Sequence, residues 1–353
     1  MPRLLPYRRQ LELNFPHESQ GHNWSFKSMR HHIDVDTSKI RVVFCADGLV
    51  LLRHESIGYY VGNPVLSQWT LLPPPPPPIL PGNRYYDSGL VTLMHNGVIL
   101  DYKVVRLHEN IQSIHSPNPT TLSFEIYSSD TGDWSYKHVS CPGDNRDLVI
   151  VCNPITLNGK LYWHAEGKDD GIVVYDFFSD DDDQARSIRL PDRMQRYHPH
   201  HSDASRCFEH CLCPCYKMIC STSQGFFVFI EARRMTGKEE GYNLKVWRLI
   251  ESDYSWEWDK AWEINMASIG IGFESVPMAI NNFDVDIIYL WSLQHIRYVA
   301  CNVRTQTKYL GPINRANEKY LPCNISVCFY PRNTLTQFVL SLQEVPKMFS
   351  KRS

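Results

Sequence analysis

The chain has 353 residues, of which 43% are hydrophobic and 21% charged, and a formal net charge of −2. That is the make-up of an ordinary soluble globular protein with apolar material for a large core, and its near-neutral charge supplies no global field to attract nucleic acid or an anionic membrane. No run approaches the ~18 apolar residues of a membrane span, and the first residues hold no signal-peptide core.

Residues 1–39 are polar, rich in Arg, His and Ser, with no sustained helical or strand period. They read as an irregular N-terminal segment. Organised sequence begins at residues 40–52 (IRVVFCADGLVLL), two apolar runs around Ala46-Asp47-Gly48, which predicts a hairpin. An aromatic strand at 59–61 comes next and is broken by Asn63-Pro64, because proline lacks the N–H a central strand needs. Six prolines at 73–78 predict a stiff polyproline II spacer between units rather than an SH3 or WW ligand, since no arginine flanks them.

The pattern resumes at 89–107, where 98–100 and 102–107 (YKVVRL) are strand-like. Residues 124–127 and 136–139 flank the turn Ser129-Asp130-Thr131-Gly132-Asp133, and Asn158-Gly159 leads into 160–165 (KLYWHA) with the strongest short hairpin signal in the chain. Further paired runs are 225–232 with 242–249, 286–293 with 296–303, and 326–330 with 337–342.

These runs echo one another. An aromatic strand, a polar turn and a Trp or Tyr recur at 59–69 (YYVGNPVLSQW) and 124–134 (FEIYSSDTGDW), with looser copies at 172–191, 244–262 and 298–309. The repeats lie ~50–70 residues apart, within reach of propeller blades once loop insertions are allowed. A repeated strand pair cannot bury its apolar face alone, so copies pack side by side. The chain is therefore expected to be all-β: one β-propeller-like ring of about six divergent antiparallel blades over residues 40–345, with a tail at 346–353.

The 11 cysteines are an odd number at no fixed spacing, which points to reduced thiols in a cytoplasmic or nuclear protein. The densest group is 207–215 (CFEHCLCPC). Cys207, His210, Cys211 and Cys215 have spacings a zinc site could use. Against that, Cys211, Cys213 and Cys215 share one strand parity, which suits small thiols filling a crowded blade face. Packing is the preferred reading and zinc the alternative, so no metal or other cofactor is expected. The acidic block 179–183 (SDDDD) reads as a solvated loop, as does 193–206 with its three histidines. Trp247, Trp256, Trp258 and Trp262 read as inter-blade core rather than a sugar-stacking or peptide-binding surface; Trp256 and Trp258 share a parity, and Trp262 joins them if the strand runs on.

Catalytic motifs are missing from the sequence. It has no Gly-x-Ser-x-Gly elbow, no phosphate loop and no His-Glu-x-x-His, and Gly270-Ile271-Gly272 reads as a turn. The chain is expected not to be an enzyme, with no catalytic residues.

The segments at 60–73 (YVGNPVLSQWTLLP), 101–107 (DYKVVRL), 124–134, 158–163 (NGKLYW) and 172–191, with 244–249 (LKVWRL) and 298–304 (YVACNVR), together resemble the plant F-box-associated domain family. The resemblance implies a kelch-like propeller that holds a protein substrate for a Skp–cullin–F-box ubiquitin ligase. Alternatives from other classes are a stand-alone scaffold and a carbohydrate-active propeller hydrolase or lectin. Family members carry a helical F-box that docks the Skp adaptor. Residues 1–39 offer no such helix, with Pro2, Pro6 and Pro16 interrupting their apolar positions, so the Skp adaptor is expected as a partner only if an F-box is joined upstream.

Overall fold

The computed structural model describes residues 39–77, 88–108, 121–141, 149–150, 154–166, 171–179, 184–191, 216–235, 241–252, 255–271, 275–292, 297–310 and 345–346. They form five antiparallel sheets in chain order. The first holds β1 (Ile40–Ala46), β2 (Leu49–His54), β3 (Gly58–Asn63) and β4 (Gln68–Leu71). The second holds β5 (Gly89–His95), β6 (Val98–His108), β7 (Thr121–Ser128) and β8 (Trp134–Ser140). In the third, β9 (Val149–Ile150) and β10 (Ile155–Leu157) both pair with the same edge of β11 (Lys160–Glu166), with β12 (Gly171–Asp176) and β13 (Arg186–Arg189) beyond. The fourth contains β14 (Tyr216–Ser223), β15 (Phe226–Met235), β16 (Gly241–Glu251) and β17 (Trp256–Asn265). The fifth contains β18 (Ser275–Ile280), β19 (Ile287–Ser292), β20 (Arg297–Asn302) and β21 (Thr307–Leu310). The one helical element described is a 3-10 turn, Met266–Ile269.

Each sheet is a simple meander, and the first strands meet in succession: β1 contacts β5, β5 contacts β10, β10 contacts β14 and β14 contacts β18. That places first strands around the axis and fourth strands at the rim, as in a propeller. The described residues make five blades, where about six were expected. The sixth expected pair, 326–330 with 337–342, lies outside the described residues. The chain end returns to the first blade, where the Val345 backbone N–H donates to Gln68 Oε1 at 3.0 Å and the Val345 side chain is buried with Leu49, Leu51 and Val61.

The cores lie between blades. Blades one and two share Leu51, Val61, Tyr102 and Tyr127; blades two and three share Val105, Phe124, Trp163 and Tyr175. Phe124 stacks on Trp163 at 5.6 Å and on Tyr175 at 5.9 Å, and aromatic pairs of this kind add about 0.5–1.5 kcal/mol beyond the area they bury. In β15, Phe227 and Phe229 face blade three, whereas Val228 and Ile230 face blade five. Both faces of a middle blade are buried, so its strands are continuously apolar rather than alternating.

The tryptophans obey the same logic, with one correction. Trp258 donates Nε1–H to the Arg189 carbonyl at 2.7 Å and Trp256 meets Tyr162 edge-on, both against blade three. Trp262 instead donates to the Val285 carbonyl at 3.0 Å, against blade five. A register shift between Val246↔Trp262 and Trp247↔Lys260 leaves Ala261 as an extra residue. A bulge of this kind reverses the parity of the residues beyond it.

The proline run packs on the second blade: Trp134 Nε1 donates to the Pro73 carbonyl at 2.9 Å and the Tyr136 hydroxyl to that of Pro77 at 3.3 Å.

Candidate binding face around the ring axis

In a four-stranded meander the turns joining strands one to two and three to four lie at the same end of the blade. Four of the five blades make the first of these turns with two residues, both at positive φ: Asp47-Gly48, Asn96-Gly97, Asn158-Gly159 and Gln224-Gly225. That is the type I′ hairpin, whose twist matches the strands and which favours Asn or Asp before Gly. The fifth blade replaces it with the longer loop 281–286, in which Asn281 Oδ1 accepts from the N–H groups of Phe283 and Asp284. The strand three-to-four turns repeat a second device. Asn63, Asp176 and Asn302 end the third strand of their blades, and each Oδ1 accepts two N–H groups of the residues ahead. Asp47-Gly48 and Asn158-Gly159 are legible in the sequence. Asn96-Gly97 and the Asx turns escape that reading, although an Asn or Asp closing each third strand is a readable signal.

Two of these hairpin turns, the Asp176 turn and neighbouring strand and loop residues line a cavity of about 440 Å³ at the axis. Its lining comes from four blades and the fifth blade's loop: Asp47 and Gly48, Thr92 to Met94, Asn158 and Gly159, Asp176 with Phe178 and Ser179, Thr222, and Asn282. The lining is held together across blades. The Thr92 hydroxyl donates to the Asp47 carboxylate, the Thr222 hydroxyl donates to Asn282 Oδ1 at 3.4 Å, and the Gln224 N–H donates to the Asn282 carbonyl at 2.6 Å. Cys45 also lines it, and burial pushes its thiol up to about 12. Burial likewise raises Cys141 and Cys301 to about 11, so these three thiols stay protonated at neutral pH and lack the thiolate a nucleophile needs.

Beside the cavity the β5–β6 hairpin runs past the level of the other turns. Thr92 stands level with Asp47, so the hairpin continues about three residues, or roughly 10 Å, beyond it. A register shift between Leu93↔Asp101 and Met94↔Ile99 leaves Leu100 as an extra residue. The projecting part exposes Leu93 (38%), Met94 (39%), Val98 (53%) and Leu100 (56%), and Phe283, next to the lining residue Asn282, is 73% exposed. The register puts Leu93 and Val98 on one face of the projecting hairpin and Met94 on the other, so apolar surface is exposed on both of its sides.

The sequence candidates fare unevenly. Cys207, His210, Cys211, Cys213 and Cys215 lie outside the described residues, as do Asp180 to Asp183 and segment 193–206. Among the described residues, no three His, Cys, Asp or Glu side chains group closely enough to hold a metal ion. None of their helices is long and apolar enough to cross a membrane. His108 sits in a buried ionic cluster between blades one and two: its Nε2 is 3.0 Å from Glu125 Oε1, and Arg106 Nη1 is 2.7 Å from Glu125 Oε2. The Arg106 guanidinium also lies 5.8 Å from the Tyr59 ring centre in blade one.

Comparison with known proteins places these features in a family. A family model described as F-box protein At3g26010-like, beta-propeller, matches residues 18–347. The chain is 34% identical over 286 residues to a putative F-box protein, At3g23970 of Arabidopsis thaliana, covering 77% of this chain and 63% of that protein. It is 34% identical to the Arabidopsis F-box protein At3g26010, covering 80% and 61%, and 32% identical to the putative F-box/kelch-repeat protein At4g22430, covering 78% and 59%. The chain thus spans about three fifths of the length of the curated relatives it matches.

Proposed function

Since this chain belongs to the F-box protein At3g26010-like β-propeller family, we propose that it is a non-catalytic protein-recognition module of the Skp–cullin–F-box ubiquitin-ligase system. In this reading the propeller holds the protein to be modified, and an F-box, where one is joined to it, holds the Skp adaptor. The observation that carries the reading is the turn face. Its short turns are fixed by type I′ and Asx geometry, while one hairpin projects from it with unpartnered apolar side chains. Rigid scaffolds that present exposed loops around a cleft are where binding specificity resides. The cavity thiol of Cys45 is kept protonated by burial and offers no thiolate nucleophile, and the sequence carries no Gly-x-Ser-x-Gly, phosphate-loop or His-Glu-x-x-His motif.

The test is affinity purification of the tagged protein from proteasome-inhibited plant cells, in parallel with Leu93→Asp/Leu100→Asp. Proteins recognised by the face should be recovered with the wild type and lost with the variant, and their ubiquitination should fall when the chain is depleted. Robust turnover in a broad glycosidase screen, or selective binding on a glycan array, would replace this reading with the carbohydrate-active one.

A further inference from the structure

We propose that the axial cavity receives a lysine or arginine side chain from an extended segment of the partner protein, with a neighbouring apolar side chain of that segment seated on the β5–β6 hairpin. The inference rests on the protein-recognition reading above and narrows it to a partner chemistry.

The charge of the lining selects the occupant. Two carboxylates, Asp47 and Asp176, line the cavity together with Thr92, Asn158, Ser179, Thr222 and Asn282, and among the described residues the lining contains no Lys, Arg or His. Among the described residues, the lysines beside the lining are engaged. Lys103 Nζ donates to the Phe177 carbonyl at 2.6 Å and lies 4.4 Å from the Phe178 ring centre, while Lys160 pairs with Glu251. Asp176 uses Oδ1 to hold the Phe178 and Ser179 N–H groups, and Oδ2 makes no hydrogen bond among the described residues. Asp47 accepts from Thr92 through Oδ2 alone. Each carboxylate therefore retains an oxygen for an incoming donor, and like-charged or acidic partners are repelled.

Size and shape select an extended segment. A cavity of about 440 Å³ holds one or two side chains and not a folded surface. The apolar contribution lies beside it. Leu93 and Met94 belong both to the cavity lining and to the exposed hairpin, where Val98 shares the Leu93 face and Leu100 is also exposed. A strand places alternate side chains on one side, so a basic residue in the cavity brings the residue two positions away toward the same face.

The two carboxylates can be neutralised without disturbing the turns. Asn suits the positive φ of 45° at position 47 and the Asx turn at position 176, and its side-chain oxygen still accepts the Thr92, Phe178 and Ser179 hydrogens. The experiment is peptide phage display against the full chain. Synthetic copies of the enriched peptides are then titrated by fluorescence anisotropy against wild type, Asp47→Asn/Asp176→Asn and Val98→Ser/Leu100→Ser. The expected consensus is a Lys or Arg with an apolar residue two positions away. Affinity should fall about tenfold or more in the double Asn variant at an unchanged melting temperature, and it should weaken as salt is raised. The double Ser variant should bind several-fold more weakly. Enriched peptides without a basic residue, or equal binding by wild type and the double Asn variant, overturn the inference. If such peptides still lose binding on Val98→Ser/Leu100→Ser, the face recognises protein through another chemistry and the broader reading survives. If no peptide is enriched in a face-dependent way, both fail.

Discussion

Glu125 and Arg106 are directly opposite partners in the β6–β7 ladder, and they form an ion pair of 2.7 Å with 0% and 7% of their side-chain surfaces exposed. A buried pair of this kind contributes little net stability over an apolar pair, yet removing one partner strands the other charge. Glu125→Leu should therefore cost about 3–5 kcal/mol in urea unfolding, because it also takes the carboxylate from His108. Arg106→Met/Glu125→Leu should cost clearly less than Glu125→Leu. Equal costs would mean that packing of the aliphatic stems, not charge, dominates this seam.

His108 makes the same seam sensitive to acid. Burial lowers its pKa below the usual 6.5; Glu125 pulls it up in part and Arg106 pushes it down again. The unfolded chain thus takes up a proton near pH 6.5 that the folded chain resists, so the stability held above that pH is lost as pH falls below it. The melting temperature should drop between about pH 7 and about pH 5.5, and His108→Gln should show a shallower drop over the same interval. A pH profile unchanged by the substitution would remove His108 as a source of the acid sensitivity.

Two turn glycines separate backbone strain from crowding. Gly97 and Gly159 occupy the same turn position at φ 77° and 75°, but a Cβ on Gly97 meets nothing within 4 Å, whereas one on Gly159 meets the Phe178 ring at 3.0 Å. Gly97→Ala should cost about 1–2 kcal/mol for the left-handed backbone alone. Gly159→Ala should cost more, by up to about 1–3 kcal/mol, if Phe178 cannot move aside. Thermal melts of the two variants give the order directly.

The cysteine cluster around position 211 awaits a chemical answer. Protein purified without chelator should carry less than about a tenth of an equivalent of zinc by elemental analysis, since a closed structural site would be nearly full. One zinc per chain would instead make Cys207, His210, Cys211 and Cys215 its ligands.

Much of this architecture is written locally. Apolar runs, β-branched and aromatic enrichment and X-Gly dipeptides specify strands and hairpins through interactions a few residues long, so 40–52 and 124–139 are legible as strand pairs and 158–165 as a turn and its strand. So is the repeat, because each blade must present apolar residues to its neighbours. Tertiary structure alone decided the rest. The parity of Trp262 depends on a bulge at Ala261, which only the pairing of β16 with β17 reveals. Nothing near His108 in the sequence announces its carboxylate partner Glu125, which the β6–β7 ladder brings across. The cavity is the furthest from the sequence. Asp47, Thr92, Asp176 and Asn282 lie up to 235 positions apart, and only the closure of sheets around a common axis brings four unremarkable turn and strand residues into one acidic opening.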